Sequence, residues 1–192
     1  MKAIVIIKSE HQNLLAVLYS LEMLIEEVDS GKKPVFSIFH GLLTYIDRFL
    51  DCYHHPKEND YLFPRLMARA PDTAELVTKL GKQHKQGSLL FVEMLKALSA
   101  YEFYGDSEFP GFREAALNYV RFEREHVQIE ERDLLPRARE ALQASDWEEI
   151  DAAFSENQDP MFGEKGNSEF SELLNKLVNS LPAPLGLGEV WK

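Results

Sequence analysis

Residues 54–65 read His54-His55-Pro56-Lys57-Glu58-Asn59-Asp60-Tyr61-Leu62-Phe63-Pro64-Arg65, and residues 126–137 read His126-Val127-Gln128-Ile129-Glu130-Glu131-Arg132-Asp133-Leu134-Leu135-Pro136-Arg137. An offset of 72 residues places His54 on His126, Glu58 on Glu130, Leu62 on Leu134, Pro64 on Pro136 and Arg65 on Arg137. Self-similarity at one offset marks an internal repeat. In each copy a histidine precedes a glutamate by four residues, and residues so spaced share one face of a helix, about one turn apart. Each copy therefore presents an imidazole and a carboxylate to the same small volume.

Upstream of each copy stands one more histidine on an apolar seam. His11 and His84 are 73 residues apart, close to the same offset. The first helical pattern runs from about Lys8 to Asp29, with His11, Leu14, Leu18, Leu21, Ile25 and Val28 as its seam. Alternating steps of three and four are the stripe of a bundle helix. The second runs from about Val35 to Ala70, with Phe39, Leu43, Ile46, Leu50, His54 and Glu58 inward; Pro56 and Pro64 predict kinks or breaks. The third covers about Asp72 to Tyr104, with Val77, Leu80, His84, Gly87, Phe91, Met94, Leu98 and Tyr101 inward. The fourth covers about Phe112 to Gln143, with Ala116, Tyr119, Phe122, His126 and Glu130 inward. Short connections make neighbouring helices antiparallel. The expected fold is all-α: an antiparallel up-down four-helix bundle over residues 1–144, with a short two-helix C-terminal extension over 145–192.

Folding four such seams together gathers His11, His54, Glu58, His84, His126 and Glu130. Four imidazoles and two carboxylates suit two metal ions. Each ion takes two imidazoles, the carboxylates bridge the pair, and a bridging oxygen adds a fifth donor. One position of an octahedral ion then stays open for a small ligand. Imidazole with carboxylate favours iron among redox-active ions, with manganese or zinc as substitutes. Di-iron bundles built on four glutamates and two histidines carry more negative charge. A histidine-richer set stabilises the ferrous state, which favours binding or sensing of a diatomic over oxygenation.

His55 competes with His54, but the repeat aligns His55 with Val127 and so selects His54. His40 has no repeat partner and reads as packing or surface. Cys52 reads as structural. Gly87 reads as close helix packing or as space beside the metals. The carbonyls freed by Pro56 and Pro64 are candidate acceptors for imidazole N–H groups.

These residues resemble the hemerythrin family, specifically bacterial hemerythrin-like proteins with the HHE cation-binding domain. The matching elements are Glu10-His11, His54-His55-Pro56-Lys57-Glu58 with Leu62-Phe63-Pro64, His84, and His126-Val127-Gln128-Ile129-Glu130 with Leu134-Leu135-Pro136. The resemblance covers about residues 8 to 140 and implies a bundle around a non-heme di-iron centre that binds O2 or related small molecules. The family also includes iron–sulfur cluster repair proteins and sensors. Ser88 stands where the animal oxygen carriers place a second histidine on the third helix, which argues against simple oxygen carriage. The expected function is binding or sensing of O2, NO or peroxide. The alternatives are donation of iron to damaged iron–sulfur clusters, or a structural, partner-binding bundle with an incidental metal.

The bulk numbers frame this reading. With 192 residues, 45% hydrophobic and 28% charged, the chain can bury a core and is not of the disordered class. A net charge of −11 disfavours nucleic acid and anionic membranes. Cys52 is the only cysteine, which fits a cytoplasmic location. The apolar run Ile4–Ile7 is too short for a secretory core, and no stretch approaches a membrane span. Beyond residue 144, Ser145-Asp146-Trp147 reads as a helix start, with Ser145 as cap and the helix reaching about Asn157. A second short helix is expected over about Ser168 to Ser180, before a Pro/Gly-rich tail. The aromatic set Trp147, Phe154, Phe162, Phe170 and Trp191 offers an intramolecular cap, or less readily a homodimer contact.

Overall fold

The computed structural model describes residues 1–156. The expected second helix of the extension, the tail, Phe162, Phe170 and Trp191 lie outside the described residues. No strand occurs among the described residues, which form five helical rods. Helix α1 is Lys2–Asp29. Helix α2 begins as Phe36–Phe49 and continues without a break through a π-helical turn (Leu50–His54), a short α-helical turn (His55–Lys57), a second π-turn (Glu58–Leu62) and a final Phe63–Arg69. Helix α3 is Ala74–Tyr104, ended by Gly105 at φ +85°. Helix α4 is Phe109–Ile129, continued by a π-turn (Glu130–Leu134) and Leu135–Ala141. Helix α5 is Ala144–Glu156.

The prolines bend the expected pattern in a specific way. Pro56, Pro64 and Pro136 each stand two residues after a π-turn. Proline lacks an N–H, and its ring crowds the carbonyl four residues back. Widening the preceding turn relieves that crowding while the rod continues, so the expected breaks do not occur and a π-turn precedes each of these prolines. Each π-turn advances the inward register. On α2 it turns the adjacent pairs His54/His55 and Lys57/Glu58 inward together.

α1 packs on α2 and α4, and α3 packs on α2 and α4. The α3 seam is buried as its spacing predicts. On α4 the expectation fails at one position: Phe122 is half-buried and Glu123 is buried instead. α1 also starts about six residues earlier than expected. Ala3 and Ile7 are buried against α5, so tertiary contact recruits a stretch whose local pattern is weak.

Two apolar clusters occupy the interior. One holds Leu14 through Val28 of α1 with Phe39, Phe49, Phe91, Tyr101, Phe112 and Tyr119. The other holds Ala3 and Ile7 with Leu62, Phe63, Leu80, Leu134, Trp147, Ile150 and Phe154. On α1, α2 and α3 the buried histidines and glutamates fall between the two clusters; on α4 His126 and Glu130 flank the junction between Val127 of the first cluster and Ile129 of the second, and Glu123 lies within the first. α5 closes the second cluster: Ala3 N–H donates to Asp151 at 2.7 Å, and Arg69 grips Asp146 through two bonds at 2.8 and 3.0 Å. The helix start is organised by Asp146, which accepts the Gln143 N–H at 2.9 Å, and not by Ser145. Trp147 and Phe154 cap the bundle from within the same chain. Among the described residues no helix is long and apolar enough to cross a membrane.

Candidate metal centre

The six side chains singled out by the repeat meet in the layer between the two clusters, all buried. Donor atoms of His11, His54, Glu58 and Glu130 lie within 4.8 Å of one another; so do those of Glu58, His84, His126 and Glu130. The two sets share both carboxylates, and the oxygens divide between them. Glu58 Oε1 lies 3.6 Å from His54 Nε2, and its Oε2 lies 3.5 Å from His84 Nε2. Glu130 Oε2 lies 3.2 Å from His11 Nε2, and its Oε1 lies 3.3 Å from His126 Nε2 and 3.7 Å from His84 Nε2. Two donors each about 2.1 Å from one ion, at right angles, are about 3 Å apart. The observed spacings are close to that.

The donors also fit a cation chemically. Nε2 of His11, His84 and His126 and all four oxygens of Glu58 and Glu130 are buried without a hydrogen bond. Two buried carboxylates facing one another are costly unless a positive charge lies between them. Burial, and then the charges of Glu130 and Glu10, push Glu58 well above its usual range. Burial would raise Glu130 as well, but His126, His11 and His84 hold it well below. Burial disfavours a charged His11, yet Glu130 and Glu131 outweigh it and lift the ring to about 9. Burial prevails at His126 and lowers it to about 4 in spite of Glu130. The cluster thus mixes charge states that a divalent ion would make uniform, with neutral imidazoles and ionised carboxylates.

Each of the four imidazoles is held at its outer nitrogen. His54 Nδ1 pairs with Glu10 at 2.9 Å and His11 Nδ1 with Glu131 at 3.0 Å. His84 Nδ1 pairs with Asn59 Oδ1 at 3.0 Å and His126 Nδ1 with Gln83 Oε1 at 3.3 Å. An Nδ1–H donated outward leaves Nε2 free to face the carboxylates. These acceptors are side chains, not the proline-freed carbonyls that the sequence suggested. Lys57 is buried too, 3.5 Å from Glu10 and 4.9 Å from the Phe154 ring centroid, so α5 contacts the layer directly.

The repeat set His55 aside in favour of His54, and the seam pattern placed Phe122 inward where Glu123 stands. His55 is buried and stacks on His84 with ring centroids 3.9 Å apart. Its donor atom converges with those of His84 and His126, in a set that does not include the carboxylates. The repeat hid it, because Val127 occupies the matching place; only the π-turn brings it inward. Glu123 lies three residues before His126 and seven before Glu130, which is seam spacing and was a legible signal. Gly87 faces it: a Cβ on Gly87 would stand 2.7 Å from Glu123 Oε1 and 3.4 Å from Phe122. Glycine here makes room for a buried carboxylate. A cavity of about 10 Å³ lies between them, lined by Leu50, His55, Gly87, Phe91, Tyr119 and Glu123 among others. That is about the room one water needs. His40 is half-exposed and pairs with Glu102 at 2.7 Å, outside the layer. Cys52 is exposed, which corrects its reading as a structural residue.

Described residues that are helical throughout their regular structure, with a buried histidine–glutamate cluster able to bind metal, define a class of cation-binding helical proteins. Residues 2–138 match the hemerythrin HHE cation-binding domain, and the chain belongs to that family. It is 25% identical over 134 residues to uncharacterized proteins of Mycobacterium bovis and of two strains of Mycobacterium tuberculosis. The match covers 70% of this chain and 51% of each relative, so the chain spans about half their length. No solved structure matches the chain significantly.

Proposed function

We propose that this chain is a non-heme di-iron protein that binds or senses a small diatomic or peroxide. Its scaffold is an antiparallel up-down four-helix bundle over residues 1–144, sealed by a C-terminal extension. The observation that carries the reading is the division of oxygens at Glu58 and Glu130, each carboxylate turning one oxygen to His11/His54 and the other to His84/His126. His11 and His54 would hold one ion, His84 and His126 the other, with Glu58 and Glu130 shared. Bound there, iron supplies a redox-active Lewis acid with room for a small exogenous ligand.

The chain's own residues do the rest. The apolar clusters exclude bulk water on both sides of the layer. Glu10, Glu131, Asn59 and Gln83 fix the imidazoles. The small cavity beside His55 and Gly87 limits what can approach to a few atoms. The lone, exposed Cys52 is compatible with a reducing cytoplasm.

The test is anaerobic purification with ferrous iron, metal counting, and optical titration with O2 and with NO. Two irons per chain with new visible bands on ligand addition are expected. One metal per chain or none would refute the dinuclear reading. Two irons indifferent to every small ligand would refute the sensing role.

A further inference from the structure

The repeat that places the donors does not extend to the groups behind them. Glu10 precedes His11 as Gln83 precedes His84, and Asn59 follows Glu58 as Glu131 follows Glu130. The contacts obey the same pseudo-two-fold. Glu10 reaches His54 and Gln83 reaches His126, while Glu131 reaches His11 and Asn59 reaches His84. The residue types are exchanged. Both imidazoles of one half, His11 and His54, donate to carboxylates. Both imidazoles of the other half, His84 and His126, donate to neutral amides.

We propose that this exchange makes the two metal positions unequal, with the carboxylate-backed pair His11/His54 forming the high-affinity position and the amide-backed pair His84/His126 the labile one. The inference rests on the dinuclear reading above. An imidazole whose N–H is drawn toward a carboxylate is a stronger donor at its other nitrogen than one bonded to an amide. Glu131 carries its charge 3.0 Å from His11, and Glu10 carries its own 2.9 Å from His54. Lys57 stands on the far oxygen of Glu10 at 3.5 Å. It offsets part of that charge at a distance, yet keeps Glu10 ionised and therefore an acceptor. The labile half is also the half beside which His55 and the small cavity lie. A small ligand approaching from the cavity would therefore meet the more weakly held ion.

The experiment is calorimetric titration of the chelator-stripped full chain with Co²⁺, using the cobalt visible bands as a second readout. Two ions repel, so any dinuclear protein binds in two unequal steps, and the separation alone decides nothing. The isosteric variants decide. E10Q/E131Q is expected to weaken the tight step at least tenfold while moving the loose step less than threefold. N59D/Q83E is expected to tighten the loose step selectively. E131Q alone is the cleaner arm, because it leaves the Lys57–Glu10 pair intact. His54→Asn should abolish the tight step, and His126→Asn should spare it.

Equal weakening of both steps by E10Q/E131Q would overturn the proposal, as would survival of the tight step in His54→Asn. Either result with two ions bound leaves the dinuclear reading standing. Binding of a single ion by the unmutated chain ends both. Circular dichroism of each stripped variant, matching that of the parent, excludes loss of fold as the cause.

Discussion

Replacing Lys57 by methionine is a sharp test of how the buried polar layer is held together. Lys57 and Glu10 are each only 4% exposed, with Nζ 3.5 Å from Oε1. At an effective dielectric of about 20, two unit charges at that distance attract by about 5 kcal/mol, which both partners' desolvation largely cancels. Removing only the cation leaves the desolvated carboxylate behind, a change that costs about 3–5 kcal/mol. Methionine keeps the stem volume and a favourable contact with Phe154, so the lower end applies, about 3 kcal/mol. For a chain of this size that is about 6–12 °C in Tm. The assay is urea denaturation of the stripped protein followed by circular dichroism, for the parent, K57M, E10Q and K57M/E10Q. The double variant should recover about half of the loss, with a coupling energy of about 2 kcal/mol. A K57M loss below about 0.5 kcal/mol, or additive single losses, would show that Lys57 merely packs its stem and is not the counter-ion of Glu10.

Further outcomes follow from the same geometry. In the stripped protein His11 is raised from 6.5 to about 9, so its contribution, roughly 3 kcal/mol, is complete below pH 6.5 and lost as pH rises through about 9. His126 is lowered to about 4, so its contribution is present above pH 6.5 and lost as pH falls toward about 4. Urea midpoints of the stripped protein should therefore decline on both sides of about pH 6.5, and E131Q should flatten the alkaline side; a flat profile would contradict these assignments. Gly87→Leu forces the Glu123 carboxylate out of its place, with an expected cost of about 1–3 kcal/mol. It should slow ligand binding in stopped-flow mixing while both metals are retained. His55→Ala should lose about 1 kcal/mol of stacking on His84 yet keep two ions per chain. Loss of one ion by metal analysis would instead make His55 a donor.

The histidine–glutamate turns, the lone seam histidines and the long helices were legible because they are local. One turn of helix fixes where residues four apart point, whatever surrounds it. A repeat at a single offset then tells which turns belong together. The limits of that reading show at particular residues. It assumed a uniform 3.6 residues per turn, whereas proline-linked π-turns advance the register and bring His55 and Lys57 inside. It could not pair Glu10 with His54 or Glu131 with His11, because those partners are 44 and 120 residues apart and meet only through packing. Nor could it see that α1 begins at Lys2, since Ala3 and Ile7 are buried by α5 and not by their own periodicity. Sequence alone set the donor types and their helical phase, which short-range geometry dictates. The tertiary structure decided how the helices rotate against one another, and with that which carboxylate or amide stands behind each imidazole.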